Sequence, residues 1–141
     1  MTQTAAVAPT CRIIRSVEEY QGKQGPSYAG GVSAESVGSR GIWLGMVTMA
    51  PSSRTKAHFH DQHETAFYVL SGECDLWFGE GLRQHDIARA GDYIYIQAGV
   101  SHVAANRSQT DPFVVVGGRR DPNEQESVVL QPELDGAVPG A

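Results

Sequence analysis

The sequence predicts an all-β fold of many short strands, on three observations. Its 16 glycines and 7 prolines fall as punctuation between short β-rich runs instead of gathering in one flexible tract. Two stretches, CDLWFGEGLRQHDIA and IARAGDYIYIQAG, read as strand, turn, strand. No segment keeps a 3.6-residue apolar period for more than about ten residues, and only SVEEYQGK looks capable of a helical turn.

Taken in chain order, strands are expected at residues 12–16, 31–37, 41–49, 56–59, 65–70, 74–78, 84–88, 92–96, 102–106, 113–117 and 128–130. Each run is rich in β-branched or aromatic residues and is bounded by turn formers. Gly79 and Gly81 bracket the turn after residues 74–78. Ala90-Gly91-Asp92 makes the next one, so consecutive antiparallel pairing is expected through residue 96. Within DYIYIQ, Tyr93 and Tyr95 alternate with Ile94 and Ile96, so one pair faces in and the other out. The closing RRDPNEQESVVLQPEL is a polar, turn-forming loop followed by a short strand. That strand packs either on a neighbouring subunit or along the edge of its own barrel.

A chain of 141 residues fits one domain and buries enough surface for a core without staples. The domain is expected over residues 11–131, with flexible ends at 1–10 and 132–141. Net charge is −5, and the longest basic run is the Arg119-Arg120 pair, which argues against a nucleic-acid or anionic-membrane surface. A neutral or anionic small molecule is the expected partner. Cys11 and Cys74 form no paired motif, carry no disulfide framework and read as small core residues. There is no basic leader and no run of about 18 apolar residues, so a soluble, cytoplasmic protein is expected.

Chemistry concentrates in KAHFHDQHETAFYVLSGE, residues 56 to 73. On a strand, His58 and His60 point the same way, and imidazoles at i and i+2 chelate one ion without distorting the backbone. Imidazole nitrogens suit divalent first-row metals. Glu64 supplies a candidate anionic oxygen, and the best donor of a third nitrogen from a neighbouring strand is His102.

These two stretches resemble the paired motifs of the cupin superfamily, G(X)5HXH(X)3,4E(X)6G and G(X)5PXG(X)2H(X)3N. His58, His60 and Glu64 match the ligands of the first motif and Gly72 its closing glycine, while Gly91, Gly99, His102 and Asn106 match the second. The resemblance covers about residues 41 to 117, with 18 residues between Gly72 and Gly91. It implies a double-stranded β-helix, or jelly-roll, barrel of the small single-domain cupin type. It also implies one divalent transition metal per chain (Fe, Mn, Ni or Zn) on His58, His60, Glu64 and His102. Small cupins often dimerise through exchanged terminal strands, which suggests a homodimer.

Three departures stand out. Ser52 replaces the first glycine and Gln97 the proline, and neither change removes a ligand. Seven residues instead of six separate Glu64 from Gly72, so counting back from the glycine lands on Thr65. A β-bulge near Thr65 would reconcile the two counts, and the slip leaves His63 as a rival ligand.

If His58 and His60 face inward, Lys56 and Arg54 share that face toward the mouth. They are the candidate catalytic residues, holding a substrate carboxylate or phosphate. Asn106 is expected to fix a turn, and His85 to lie outside the site. The function expected is a metalloenzyme of oxygenase (dioxygenase-like), isomerase or lyase type acting on a small, anionic organic molecule. A non-catalytic ligand-binding or metal-sensing cupin is the alternative. A sugar-phosphate isomerase finds local support only in Lys56 and Arg54, since no glycine-rich loop cradles phosphate.

Overall fold

The computed structural model describes residues 9–124 and 127–140. Its elements are β1 (Tyr20–Gln21), β2 (Ser27–Val32), α1 (Ala34–Val37), β3 (Trp43–Met49), β4 (His58–His60), β5 (Thr65–Ser71), β6 (Glu73–Phe78), β7 (Gln84–Arg89), β8 (Tyr93–Ile96), β9 (His102–Asn106), β10 (Phe113–Arg119) and β11 (Val128–Leu130). They form two antiparallel sheets, a six-stranded one in the order β1-β2-β3-β10-β5-β8 and a five-stranded one in the order β11-β4-β9-β6-β7.

The chain doubles back at the turn between β6 and β7. From there β6 pairs with β7, β5 with β8, β4 with β9 and β3 with β10. The limbs β3 to β6 and β7 to β10 therefore run side by side, crossing from one sheet to the other at every step but the turn itself. This is a double-stranded β-helix, with the two sheets facing each other and not closed into one hydrogen-bonded ring.

That winding corrects the expected second hairpin. Ala90-Gly91-Asp92 does not join paired strands, because β7 lies in the five-stranded sheet and β8 in the six-stranded one. The turn is a corner, and Gly91 at φ +95° takes the left-handed backbone it needs. Gly72 turns the corresponding corner between β5 and β6 at φ +87°, where a Cβ would sit 3.0 Å from the Pro112 carbonyl oxygen.

Three local expectations also change. Residues 12–16 form no strand, and Cys11 is exposed instead of in the core. Residues 16–23 carry the short strand β1 and no helical turn. The strand expected at 31–37 stops at Val32 because Ser33 caps α1: its hydroxyl accepts from the Ser36 N–H while the Ser36 hydroxyl accepts from the Ser33 N–H.

The inward faces pack Tyr28, Trp43, Val47, Met49, Val69, Phe113 and Val115 around buried Cys74. Ile94 packs against this core and Ile96 is buried, whereas Tyr93 and Tyr95 face outward at 83% and 63% exposure. A second cluster of Ala57, Leu82, Val103 and Val138 lies on the other side of the five-stranded sheet. Val138 follows a 3₁₀ segment, Pro132–Ala137, so residues expected to fray are seated on the fold. Burying one valine stabilises by about 1.5–3 kcal/mol, and Asp135 adds hydrogen bonds from the Ala57 N–H and Arg54 Nη2 to the hold on the segment. The terminal strand β11 pairs with β4 of its own chain. Among the described residues, no helix is long and apolar enough to cross a membrane.

Candidate metal centre

β4 buries His58 and His60 on its inward side and leaves Phe59 between them on the other. His58 stands directly opposite His102 of β9. The ring centroids are 4.2 Å apart for His58 and His102, 5.2 Å for His58 and His60, and 5.1 Å for His60 and His102. One nitrogen from each ring can be chosen so that all three lie within 4.8 Å of one another.

Two of the rings are held the same way. Nδ1 of His58 lies 2.6 Å from the Lys56 carbonyl oxygen, and Nδ1 of His102 lies 2.9 Å from that of Val100. A carbonyl only accepts, so each Nδ1 carries the proton and each Nε2 is left with its lone pair. Gly99, at φ +81°, donates its N–H to the His60 carbonyl at 2.8 Å and ties the two motifs together. Three imidazoles converging on a buried point are a donor set that fits a divalent first-row metal.

Glu64 does not join them. It is exposed and hydrogen-bonds Tyr95, whose hydroxyl ionises above the usual tyrosine value through desolvation first and the Glu64 charge second. The extra residue is accommodated at Leu70, where the partners of Val114 and Val115 on β5 skip from Ser71 to Val69. The bulge thus falls at the far end of β5 from Thr65. Thr65, Phe67 and Val69 alternate inward, and Glu64 takes the outward parity. Thr65 is 4% exposed, lines the cavity, and its Oγ1 has no hydrogen-bond partner among the described residues.

His63 is buried beside the cluster, its ring 4.9 Å from that of His60 and its Nδ1 4.0 Å from Asp121 Oδ2. The three-histidine group of converging nitrogens does not include it. Asp121 itself ionises below its ordinary range. Burial would raise it, but the Asn123 N–H and amide, the His63 charge and the Ser127 N–H outweigh burial.

Lys56 and Arg54 do not line the cavity, which corrects their expected placement on the face shared by His58 and His60. A bend at Ala57 breaks the strand alternation, so Thr55 faces the cavity and Lys56 faces solvent. Arg54 reaches the C-terminal segment, where its Nη2 donates to the Asp135 carbonyl at 2.8 Å.

The cation that does line the cavity is Arg119, 6% exposed at the end of β10. Its guanidinium lies 4.1 Å from the centre of the Trp43 ring, and its Nη2 donates to the carbonyls of Asn123 at 2.5 Å and Glu124 at 3.2 Å. Sequence reasoning treated it only as half of a basic pair. The missed signal was parity, since Arg119 shares the inward side of β10 with Phe113, Val115 and Gly117.

The lesser residues behave as their types suggest. The Asn106 amide donates to the carbonyls of Met49, Ala50 and Asp111, and its oxygen accepts from the Ser108 N–H, fixing the turn before β10. His85 pairs with Asp75 at 2.7 Å on the surface. Ser52, standing where the motif has glycine, takes φ +60°.

The family model described as the cupin domain matches residues 45–117. No curated protein matches the chain. Among solved structures, an uncharacterized conserved protein with a double-stranded beta-helix domain from Klebsiella pneumoniae is similar at TM-score 0.61 and 20% identity, over 74% of this chain and 78% of that one. Oxalate decarboxylase from Lactobacillus farciminis, in a formate complex, is similar at TM-score 0.65 and 14% identity, over 81% of this chain. The enzyme from Bacillus subtilis is similar at TM-score 0.64 and 19% identity, over 80% of this chain. This chain spans about a third of either decarboxylase, 33% and 29%. At these identities the likeness is one of fold.

Proposed function

The chain belongs to the cupin domain family, and on that premise we propose that it is a metalloenzyme in which His58, His60 and His102 hold one divalent ion, Fe, Mn, Ni or Zn. The observation that carries this reading is the convergence of those three buried imidazoles on the cavity side of β4 and β9. The ion would supply Lewis-acid chemistry toward a carbonyl or carboxylate oxygen of a small organic substrate. With only three protein nitrogens as donors, the ion would keep room to bind a small organic molecule directly. The chain's own part is to orient and to dry: the two backbone carbonyls fix the His58 and His102 tautomers, and the apolar wall of Val47, Met49, Phe67, Ile94 and Phe113 excludes water. Oxygenase, isomerase and lyase chemistry all fit this arrangement.

Elemental analysis of protein purified without chelator or affinity tag tests it. About one transition metal per chain is expected, with both His58→Ala and His102→Ala losing it. A folded wild type that takes up no metal after reconstitution with each of the four ions refutes it.

A non-catalytic ligand-binding cupin is the second reading, and the predominantly apolar cavity wall favours it. Turnover of any substrate, lost in His58→Ala with the fold intact, separates the two. The proposal also includes a homodimer formed through the outer face of the six-stranded sheet. There Met46, Tyr68, Tyr93 and Tyr95 are exposed on paired strands, and the same face of a second copy is an apolar match for it. A monomeric mass by light scattering removes that part.

A further inference from the structure

The three histidines belong to the five-stranded sheet. Across the cavity, the six-stranded sheet presents a different chemistry. Arg119 of β10 pairs in register with Trp43 of β3 on one side and Thr65 of β5 on the other, and all three line the cavity. The row Trp43, Arg119, Thr65 is thus one inward rung of the sheet. It lies near the metal end of the barrel, since only four residues connect His60 to Thr65.

The rung is polar within a largely apolar wall, to which Gln24, Tyr28, Thr55 and the three histidines add the other polar groups. Arg119 carries a permanent charge, held in place by the indole face and two backbone carbonyls. The Thr65 hydroxyl, 4% exposed, has no hydrogen-bond partner among the described residues. A buried hydroxyl left without a partner is costly, so a cavity occupant that accepts or donates there gains by filling it. Around the rung the wall is Val47, Met49, Phe67, Ile94, Phe113 and Val115.

We propose that this rung is a carboxylate subsite, and that the ligand is a small monocarboxylic acid with an apolar body. The inference rests on the reading of the cavity as the reaction site and names its substrate class. The guanidinium fork matches a carboxylate, and the threonine hydroxyl donates to one of its oxygens. The apolar wall receives the carbon chain and offers little to a dicarboxylate or a polyhydroxylated phosphate, whose remaining polar groups would be buried without partners. The cavity of about 70 Å³ is room for about five waters at roughly 15 Å³ each, comparable to a four-carbon acid.

Calorimetric titration tests this on chelator-treated protein, so that no ion takes part in binding. The probes are butanoate, the neutral 1-butanol, oxalate and inorganic phosphate. Wild type is expected to bind butanoate about tenfold more tightly than 1-butanol, and more tightly than oxalate or phosphate. Thr65→Val keeps the side-chain shape and should weaken butanoate about threefold to tenfold with 1-butanol unchanged. Arg119→Met should abolish the preference for the acid, and Arg119→Lys should restore part of it. A purely structural role for Arg119 would move both ligands together. Should Arg119→Met fail to fold, Thr65→Val decides alone. Equal affinity for butanoate and 1-butanol, tighter binding of oxalate or phosphate, or a preference untouched in Thr65→Val overturns the proposal. Metal uptake by the wild type separates the two readings: a wild type that takes up metal but shows no acid preference refutes only the subsite, and one that prefers the acid but takes up no metal refutes only the metal centre.

Discussion

His58 of β4 and His102 of β9 are direct cross-strand partners, their rings 4.2 Å apart, and each fixes its Nδ1 on the carbonyl two residues before it. The same device is used once on each limb of the β-helix, so both imidazoles are oriented in the same way, each from its own backbone.

Because Glu64 lies outside this arrangement, Glu64→Gln should leave metal stoichiometry unchanged. It should also let Tyr95 ionise at lower pH, since the Glu64 charge and hydrogen bond help to hold its pKa up. Elemental analysis and a spectrophotometric tyrosinate titration read the two effects. Loss of metal in this variant would return Glu64 to the ligand set.

Acidification should act in two stages. Histidine must be neutral to bind metal, so occupancy should fall on acidification as protons displace the ion. At lower pH, Asp121 matters. Its folded carboxyl ionises below its ordinary 3.8, so its contribution to stability is complete above that value and is lost as pH falls through the depressed one. Urea unfolding of metal-free protein should show a drop below about pH 4 that is smaller in Asp121→Asn.

The two cysteines should differ sharply toward thiol reagents. Cys74 is fully buried, and burial pushes its thiol from 9.0 up to about 12, while Cys11 is exposed. Mass spectrometry after brief alkylation at pH 8 should find Cys11 modified and Cys74 intact until the protein unfolds. Since the unfolded thiol ionises first, native stability should also decline as pH rises above 9.0.

Val138→Ala should destabilise by about 1–3 kcal/mol, because Val138 is 4% exposed against Ala57, Leu82 and Val103. Denaturant unfolding measures this directly. No change would mean that the terminal segment is not held there in solution.

How far these features were legible in the sequence depended on spacing. His58, His60 and His102 were readable because i, i+2 alternation and two glycine-flanked motifs fix them independently of any tertiary detail. Glu64 was not, because a single extra residue can be absorbed anywhere along β5, and only the pairing with β10 shows that Leu70 absorbs it. Lys56 and Arg54 failed for a related reason. Alternation was extended backwards through Ala57, where the backbone bends. Arg119 was legible but unread, since its parity with Phe113 and Val115 needed no structure to see. The β7 to β8 corner looked like a hairpin because local turn chemistry is the same whether the next strand pairs or crosses to the other sheet.

The pairing of the two limbs outward from the Gly79 to Gly81 turn also sets an order of events in folding. Only β6 and β7 meet through a short loop, and each later pair must close a longer one. The strands that carry His58 and His102 are the third pair out, so the chelating nitrogens come together late on such a route. A metal ion would then leave the refolding rate nearly untouched and act almost wholly by slowing escape from the native state. Loaded protein would owe its persistence to a kinetic lock fitted after the fold is already made.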